Sequence, residues 1–328
     1  MRSARVTVLM PVYNGAQYLR EAIESILAQT LADFELVIVD DGSTDDSRPI
    51  VRAFDDDRIR AYNREHEGLP ASLNFGVSVA QTPWIARMDA DDAALADRLE
   101  RQLAAVAGDE RLVVLGGQCI LMDEAGRALG QTKIALEHDA LLDSILYARG
   151  HPLHHPSVLL RTEALRKIGG YRCRFQRAQD VDLWLRMAEV GTLRCLAAPV
   201  LRLRQHAASA SLDAGGRTQA LYGLAARICY LRRKAGAADP SELGDAQWRE
   251  FLIDVERVCE RNGVFRARAA RQTLRERLQC IDADRPLRSI RRIVRLATAL
   301  IAQPTLLCGL SRRGWLKTLR SLGNKALS

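Results

Sequence analysis

The sequence contains no C-x-x-C pair. Its seven cysteines, Cys119, Cys173, Cys195, Cys229, Cys259, Cys280 and Cys308, are an odd number and scattered. That pattern excludes a disulfide framework and a thiolate zinc site, and it predicts reduced, mostly buried thiols. No stretch reaches the ~20 consecutive apolar residues a membrane-spanning helix needs. The run from Leu296 to Leu310 is too short and contains Pro304. The start moves straight into a strand-like run without the features of a signal peptide, so a cytoplasmic protein is expected. From Pro286 to Ser328 there is no acidic residue, although the net charge of the chain is only +8. With no aromatic–basic RNA motif, that charge does not read as nucleic-acid binding.

What is present is an alternation. Val6-Thr7-Val8-Leu9-Met10 reads as a buried strand, and Ala22, Ile23, Ile26 and Leu27 recur at helical spacing. Leu36-Val37-Ile38-Val39 is a second strand, and Ser43-x-x-Asp46 is a capping-box pattern expected to open the next helix. Ile59 to Tyr62, Ala71 to Ala80 and Trp84 to Met88 continue as strand, helix and strand, and Leu95, Leu99, Leu103 and Val106 mark another helix. Strands and helices alternating at this pace predict an α/β domain with a mostly parallel, twisted sheet flanked by helices. In such sheets ligands bind beyond the carboxyl ends of the strands. Three polar motifs sit just past such ends: Tyr13-Asn14, Asp40-Asp41 and Asp89-Ala90-Asp91-Asp92.

Asp89 and Asp91, two residues apart, fall on one side of an extended segment. Clustered carboxylates need water, donors or a cation between them, and a hard divalent ion suits oxygen ligands. The plainer alternative is an acidic loop in which Asp92 caps a helix beginning near Ala93.

The ordered set Pro11-Val12-Tyr13-Asn14-Gly15, Gln29-Thr30, Phe34 to Ser43, Gly68-Leu69, Asn74 and Ile85 to Asp92 resembles the family 2 glycosyltransferases, of GT-A fold, over roughly Val6 to Ser211. The resemblance implies an inverting transfer from a nucleotide-diphospho-sugar, most plausibly a UDP-sugar, to a hydroxyl acceptor in bacterial surface glycan synthesis. It implies a nucleotide site of Pro11, Val12, Tyr13, Asn14, Asp41, Arg87 and Asp89, with Tyr13 against the base and Asp41 accepting from it. Asp91 would bind Mn²⁺ or Mg²⁺, with Asp89 at the ribose or in the metal's water shell. A cation there stabilises the charge developing on the diphosphate leaving group. Without the family, Tyr13 reads as core packing and Asp41 as a turn residue.

Further on, His151-Pro152-Leu153-His154-His155-Pro156-Ser157 is expected to line the cleft ahead of the strand Val158-Leu159-Leu160, and Gly169-Gly170-Tyr171 to form a turn. Gln179-Asp180-Val181-Asp182 resembles the family's acidic pair, with Gln179 where Glu is usual. Asp180 is the candidate general base for the acceptor hydroxyl, the alternative being a carboxylate favoured by a helix N-terminus. Asp182 points away from Asp180 and can pair with Arg186. Arg202 and Arg204 alternate on one strand face, and His206, in an Arg-x-His-x-x-Ser-x-Ser pattern, is either a metal or phosphate ligand or an ordinary polar residue.

The expected division is residues 1–216 as the catalytic domain and 217–328 as a helical, basic extension. The latter carries helical periodicities at Leu221 to Leu231 and Trp248 to Cys259, with a break at Asp239-Pro240-Ser241-Glu242. Its last part, with Arg288, Arg291, Arg292, Arg295, Arg312, Arg313, Trp315, Lys317 and Arg320, reads either as an interfacial helix on an anionic membrane or as a solvated basic face. The first reading makes the enzyme peripheral on the inner face of the cell membrane, near a glycan or lipid-linked acceptor. Two rivals remain: a basic nucleic-acid-binding protein, and a sugar nucleotidylyltransferase. The second would carry a Gly-rich phosphate loop after the first strand, where this chain has Pro11 to Gly15.

Overall fold

The computed structural model describes residues 4–147, 153–206, 216–261 and 264–265. It divides into two compact units, the first from Met1–Ile145 and Gly150–His206, the second from Leu146–Arg149 and Ala207–Ser328.

The first unit is built on one nine-stranded sheet in the order β3-β2-β1-β4-β8-β6-β9-β5, with β7 (Ala128–Gln131) beside β6. β1 (Val6–Val12), β2 (Phe34–Asp40), β3 (Ile59–Asn63) and β4 (Trp84–Arg87) pair in parallel, as the βαβ alternation requires. Beyond β4 the sheet is mixed. β8 (Leu159–Arg161) runs antiparallel to both β4 and β6 (Leu112–Met122), while β9 (Thr192–Arg204) is parallel to β6 and antiparallel to β5 (Ala93–Ala94).

β1 is buried along its whole length because it is central, which is why it reads as an unbroken apolar run. Pro11 is tolerated there because β4 pairs with β1 only as far as Leu9, whose carbonyl takes the Met88 N–H at 3.0 Å. Pro11, two residues on, faces the side where that ladder has ended. α1 (Ala16–Leu27) lays Leu19, Ala22, Ile23 and Ile26 on the sheet, each fully buried. Burying a side chain of that size contributes roughly 1.5–3 kcal/mol.

Three local expectations are corrected. The capping box is not made: α2 spans Ser47–Arg52, and the Ser43 hydroxyl accepts the Asn14 N–H at 3.0 Å instead of capping. Asp92 caps nothing and no helix starts at Ala93. Those residues form β5, and α4 runs Arg98–Val106, leaving Leu95 outside it. Asp92 is taken by a tertiary partner, described below. Asp89 and Asp91 come together through a turn after β4 rather than along a strand.

In the second unit, α8 (Arg217–Lys234) and α9 (Asp245–Arg261) pack through Leu224, Ile228, Val255 and Cys259. Arg217 reaches Glu256 at 2.8 Å and Glu260 at 2.7 Å. The break between the helices is a 3-10 turn at Pro240–Glu242, held by Asp239 accepting the Ser241 N–H. No helix among the described residues is long and apolar enough to cross a membrane. The basic segment from Pro286 onward lies outside the described residues.

Candidate active site

The register Val12↔Asp40 and Leu9↔Arg87 sends the chain off three neighbouring parallel strands at one edge, carrying Tyr13, Asp41 and Asp89 with it. The loop after β1 is pinned: Asn14 adopts φ 49°, and its Oδ1 accepts the Thr44 N–H at 2.8 Å. Asp40 accepts from the Ser43 N–H at 3.0 Å and from Arg48 at 2.8 Å. Asp41 is buried, and it takes the Glu67 N–H at 3.1 Å, the Gly68 N–H at 2.9 Å and the Ser72 hydroxyl at 2.7 Å. These donors lie at and before the start of α3 (Leu69–Val79), where a carboxylate is favoured by the helix dipole. Gly42 has φ +81°, and a Cβ there would meet the His66 backbone nitrogen at 2.8 Å, so the two loops close on each other only with glycine. Tyr13 is half exposed, not core, and its ring stacks on His66 with centroids 4.1 Å apart.

The acidic turn is assembled from both ends of the first unit. Oxygens of Asp89, Asp91 and Asp92 lie within 4.8 Å of one another. Asp89 pairs with the buried Arg87. His206 Nε2 donates to Asp91 Oδ2 at 2.8 Å. Asp92 Oδ1 accepts the Arg204 N–H at 2.8 Å, while its Oδ2 is buried without a partner. Arg204 closes the arrangement: it donates to the Asp91 carbonyl at 2.9 Å, pairs with Glu21 and lies over the Tyr18 ring.

Burial foremost, then the charges of Asp89 and Asp91, push the Asp92 carboxyl well above the usual carboxylate range. Asp89 is also raised, first by desolvation, with Arg87 opposing and Asp91 adding. Arg98, fully buried, donates to the Arg87 carbonyl at 2.7 Å, and burial lowers its pKa to about 10. An orphaned buried oxygen beside two further carboxylates and an imidazole is a donor set that fits a hard divalent cation. Asp91 and His206, with Asp89 and Asp92 alongside, would hold it. Bound there, it would supply charge for a departing diphosphate.

The motifs of the middle segment meet at Tyr171. Asn74 of α3 fixes it on both sides, accepting the Tyr171 N–H at 2.7 Å and donating to its carbonyl at 2.8 Å. The Tyr171 hydroxyl shares a 2.7 Å hydrogen bond with Nε2 of the buried His155, which sits edge-on to Trp184. Burial pushes the Tyr171 hydroxyl strongly up, and it feels the charges of Arg87, Asp180 and Asp89. Burial, then Arg87, keep His155 neutral well below the usual imidazole range. Asp180 lies in the first turn of α7 (Gln179–Met187), its Oδ1 accepting the Val181 N–H at 2.9 Å. The residue before that helix, Ala178, is buried with φ 54°, a backbone conformation that non-glycine residues rarely adopt. Asp182 is buried and paired with Arg186 at 2.8 Å, as the i,i+4 spacing predicts.

The residues assigned to the nucleotide, the metal and the base lie on described structure, while His151, Pro152 and the serines of the Arg-x-His-x-x-Ser-x-Ser pattern lie outside the described residues, and Tyr171 feels the charges of Arg87, Asp180 and Asp89. Sequence reasoning passed over His66, Arg98 and Arg204 as members of the site. Only Arg204 carried a signal, in its alternation with Arg202.

The fold is a mixed α/β sheet with an acidic turn at the edge of its parallel half, and comparison with known proteins gives the family. The glycosyl transferase family 2 pattern matches residues 7–169. EpsE of Bacillus subtilis, described as a glycosyltransferase, is 35% identical over 193 residues, which cover 57% of this chain and 68% of that protein. An uncharacterized glycosyltransferase of Rickettsia felis is 30% identical over 210 residues, covering 63% of this chain but only 35% of that protein. Among solved structures, S. aureus TarS 1-349 in complex with UDP-GlcNAc superposes with TM-score 0.57 at 18% identity, covering 89% of this chain and 81% of that one. The mannosyltransferase PcManGT of Pyrobaculum calidifontis, in complex with GDP-Man and Mn²⁺, superposes with TM-score 0.54 at 18% identity, covering 100% of this chain and 87% of that one. The chain belongs to glycosyl transferase family 2. Membership decides for a transferase over the nucleotidylyltransferase and the nucleic-acid-binding rivals.

Proposed function

We propose that this chain is an inverting glycosyltransferase that moves a sugar from a nucleoside diphosphate to an acceptor hydroxyl with the help of Mn²⁺ or Mg²⁺. The observation that carries the reading is the Asp89–Asp91–Asp92 cluster, closed by His206 and Arg204, on the same sheet edge as Tyr13 and Asp41. Pro11, Val12, Tyr13, Asn14 and Asp41 bind the nucleotide, and Arg87 and Asp89 hold its ribose side. Asp91 and His206 hold the cation. Asp180 takes the proton of the attacking hydroxyl, opposite the departing diphosphate. TarS bound to UDP-GlcNAc and PcManGT bound to GDP-Man and Mn²⁺ share the fold and support both the donor class and the metal.

A UDP-sugar is the donor in this reading, and a surface glycan or its lipid-linked precursor the acceptor. Residues 1–216 form the catalytic domain. Residues 217–328 form a basic extension, helical over Arg217–Lys234 and Asp245–Arg261, that keeps the enzyme on the cytoplasmic face of the membrane. Titration calorimetry of UDP with and without Mn²⁺ tests the core of the proposal. The parent chain should bind UDP more tightly with Mn²⁺ present, and Asp91→Ala should lose that gain while keeping its melting temperature. Equal UDP affinity of variant and parent in Mn²⁺ would remove Asp91 from the metal site.

A further inference from the structure

His66 lies on the loop between β3 and α3, and no motif in the sequence singled it out. Its imidazole makes two contacts at once. It stacks on Tyr13 with ring centroids 4.1 Å apart and an interplanar angle of 26°. Its Nδ1 lies 2.9 Å from Asp41 Oδ2 and 3.0 Å from the Asp41 carbonyl oxygen. A carboxylate offers about four acceptor positions. On Asp41 the Glu67 N–H and the Ser72 hydroxyl occupy Oδ1, the Gly68 N–H occupies Oδ2, and His66 Nδ1 stands at the remaining place. The backbone donors hold the loop and the start of α3. The imidazole differs from them: its side chain is 53% exposed while the Asp41 side chain is 4% exposed. The Ser72 side chain is fully buried, so of the four donors the imidazole is the one that rotation about its side-chain bonds can swing out into solvent.

A flat ring stacked on Tyr13 and presenting an N–H to Asp41 is the pose in which a nucleobase would satisfy the same two groups. With the two rings 4.1 Å apart, no base fits between them, because an inserted ring needs about twice the ordinary stacking distance. We infer that His66 occupies the nucleobase position in the ligand-free chain and is displaced by a base carrying a ring N–H donor, such as uracil, so that it sets nucleotide affinity by competition. This inference rests on the nucleotide-diphospho-sugar reading of the same site. A base without a ring N–H at the matching edge leaves that place on Asp41 unfilled, so Asp41 selects among nucleotides while His66 scales the affinity of each. Gly42 keeps the loop in place during the exchange, since it packs directly on the His66 backbone.

The test is calorimetric titration of the full chain with UDP and with CDP in Mn²⁺, for the parent and for His66→Ala. One stacking contact and one hydrogen bond, each worth about 1 kcal/mol, correspond to an affinity change of roughly 5–30-fold once the competitor is removed. His66→Ala should bind UDP tighter by that factor, and the preference of UDP over CDP should persist because Asp41 remains. His66→Phe, which keeps a ring on Tyr13 but has no donor for Asp41, should fall between the two. Unchanged or weaker UDP binding by His66→Ala, in a variant that melts like the parent, would overturn the inference and leave the donor reading standing. Failure of either nucleotide to bind the parent or the variants would overturn the donor reading, and the inference with it.

Discussion

Removing the Asp182 carboxylate should cost more than any surface change in this protein. Arg186 is buried, with a side chain 4% exposed against 1% for Asp182, and the two meet at 2.8 Å. The other guanidinium nitrogens are spent on the Ile168 carbonyl at 3.0 Å and the Gly170 carbonyl at 2.7 Å. Asp182→Ala therefore breaks a buried ion pair from one side, for which a loss of about 3–5 kcal/mol is expected, several times the worth of an exposed pair. With a urea slope of about 3 kcal/mol/M, the midpoint should fall by about 1–1.7 M. Replacing both partners, as Asp182→Leu with Arg186→Leu, should recover most of that loss, because both buried charges are then removed together. Arg186 also holds the turn that delivers Tyr171 to His155, so the single variant should lose activity in conditions where it is still folded. Urea unfolding of the three proteins decides the matter. A loss below about 1 kcal/mol for Asp182→Ala would mean that water reaches Arg186 and that burial of this helix face has been misjudged.

Asp180→Asn should lower turnover by ~10²–10⁴-fold while leaving UDP affinity unchanged; near-normal turnover would move the base elsewhere. Acid should destabilise the chain through His155. Its folded-state pKa lies well below the ordinary 6.5, so beneath that value the unfolded chain takes up a proton that the native one refuses. Stability then falls with pH by up to about 1.4 kcal/mol per unit until the native imidazole also titrates. His155→Gln should flatten the urea midpoint between pH 7 and 5 relative to the parent, and an unaltered slope would exclude His155 as the cause. The acid-free segment after Pro286 should bind anionic vesicles, each basic residue adding ~1 kcal/mol near the surface. Flotation of the full chain against one ending at Asp284 checks this, and equal flotation of the two would count against a membrane role.

The parallel half of the sheet was legible because central strands buried on both faces read as apolar runs, and each run ends in the polar motif it delivers to the edge. The pairing of Asp182 with Arg186 followed from helical spacing alone. What the sequence hid depends on partners far along the chain. Ser43 looks like a cap, but its hydroxyl accepts the Asn14 N–H, and its own N–H, which Asp46 would have taken in a capping box, goes to Asp40. Asp92 looks like a cap too, yet its partner is the backbone of Arg204, 112 residues away. Leu95 has the right spacing for α4, but its N–H bonds the Val200 carbonyl and its own carbonyl takes Gln29, which holds it in the sheet layer. His66 left no local trace, since its significance lies in facing Tyr13 and Asp41 across two loops.

The closure of the acidic turn by Arg204 and His206 sets an order in time as well as in space. The stretch matched by the family pattern, residues 7–169, contains Asp89, Asp91 and Asp92 but neither of the residues that close on them. A chain emerging from the ribosome displays Tyr13, Asp41 and the acidic turn early, since β1 to β4 come first, and domains fold as they emerge. Asp91 and Asp92 nonetheless wait for their partners until synthesis has passed residue 206, when β9 inserts between β6 and β5. Long-range pairings of this kind form late, because loop closure must be met before the contact repays it. A half-made copy thus carries the family's signature without its finished site.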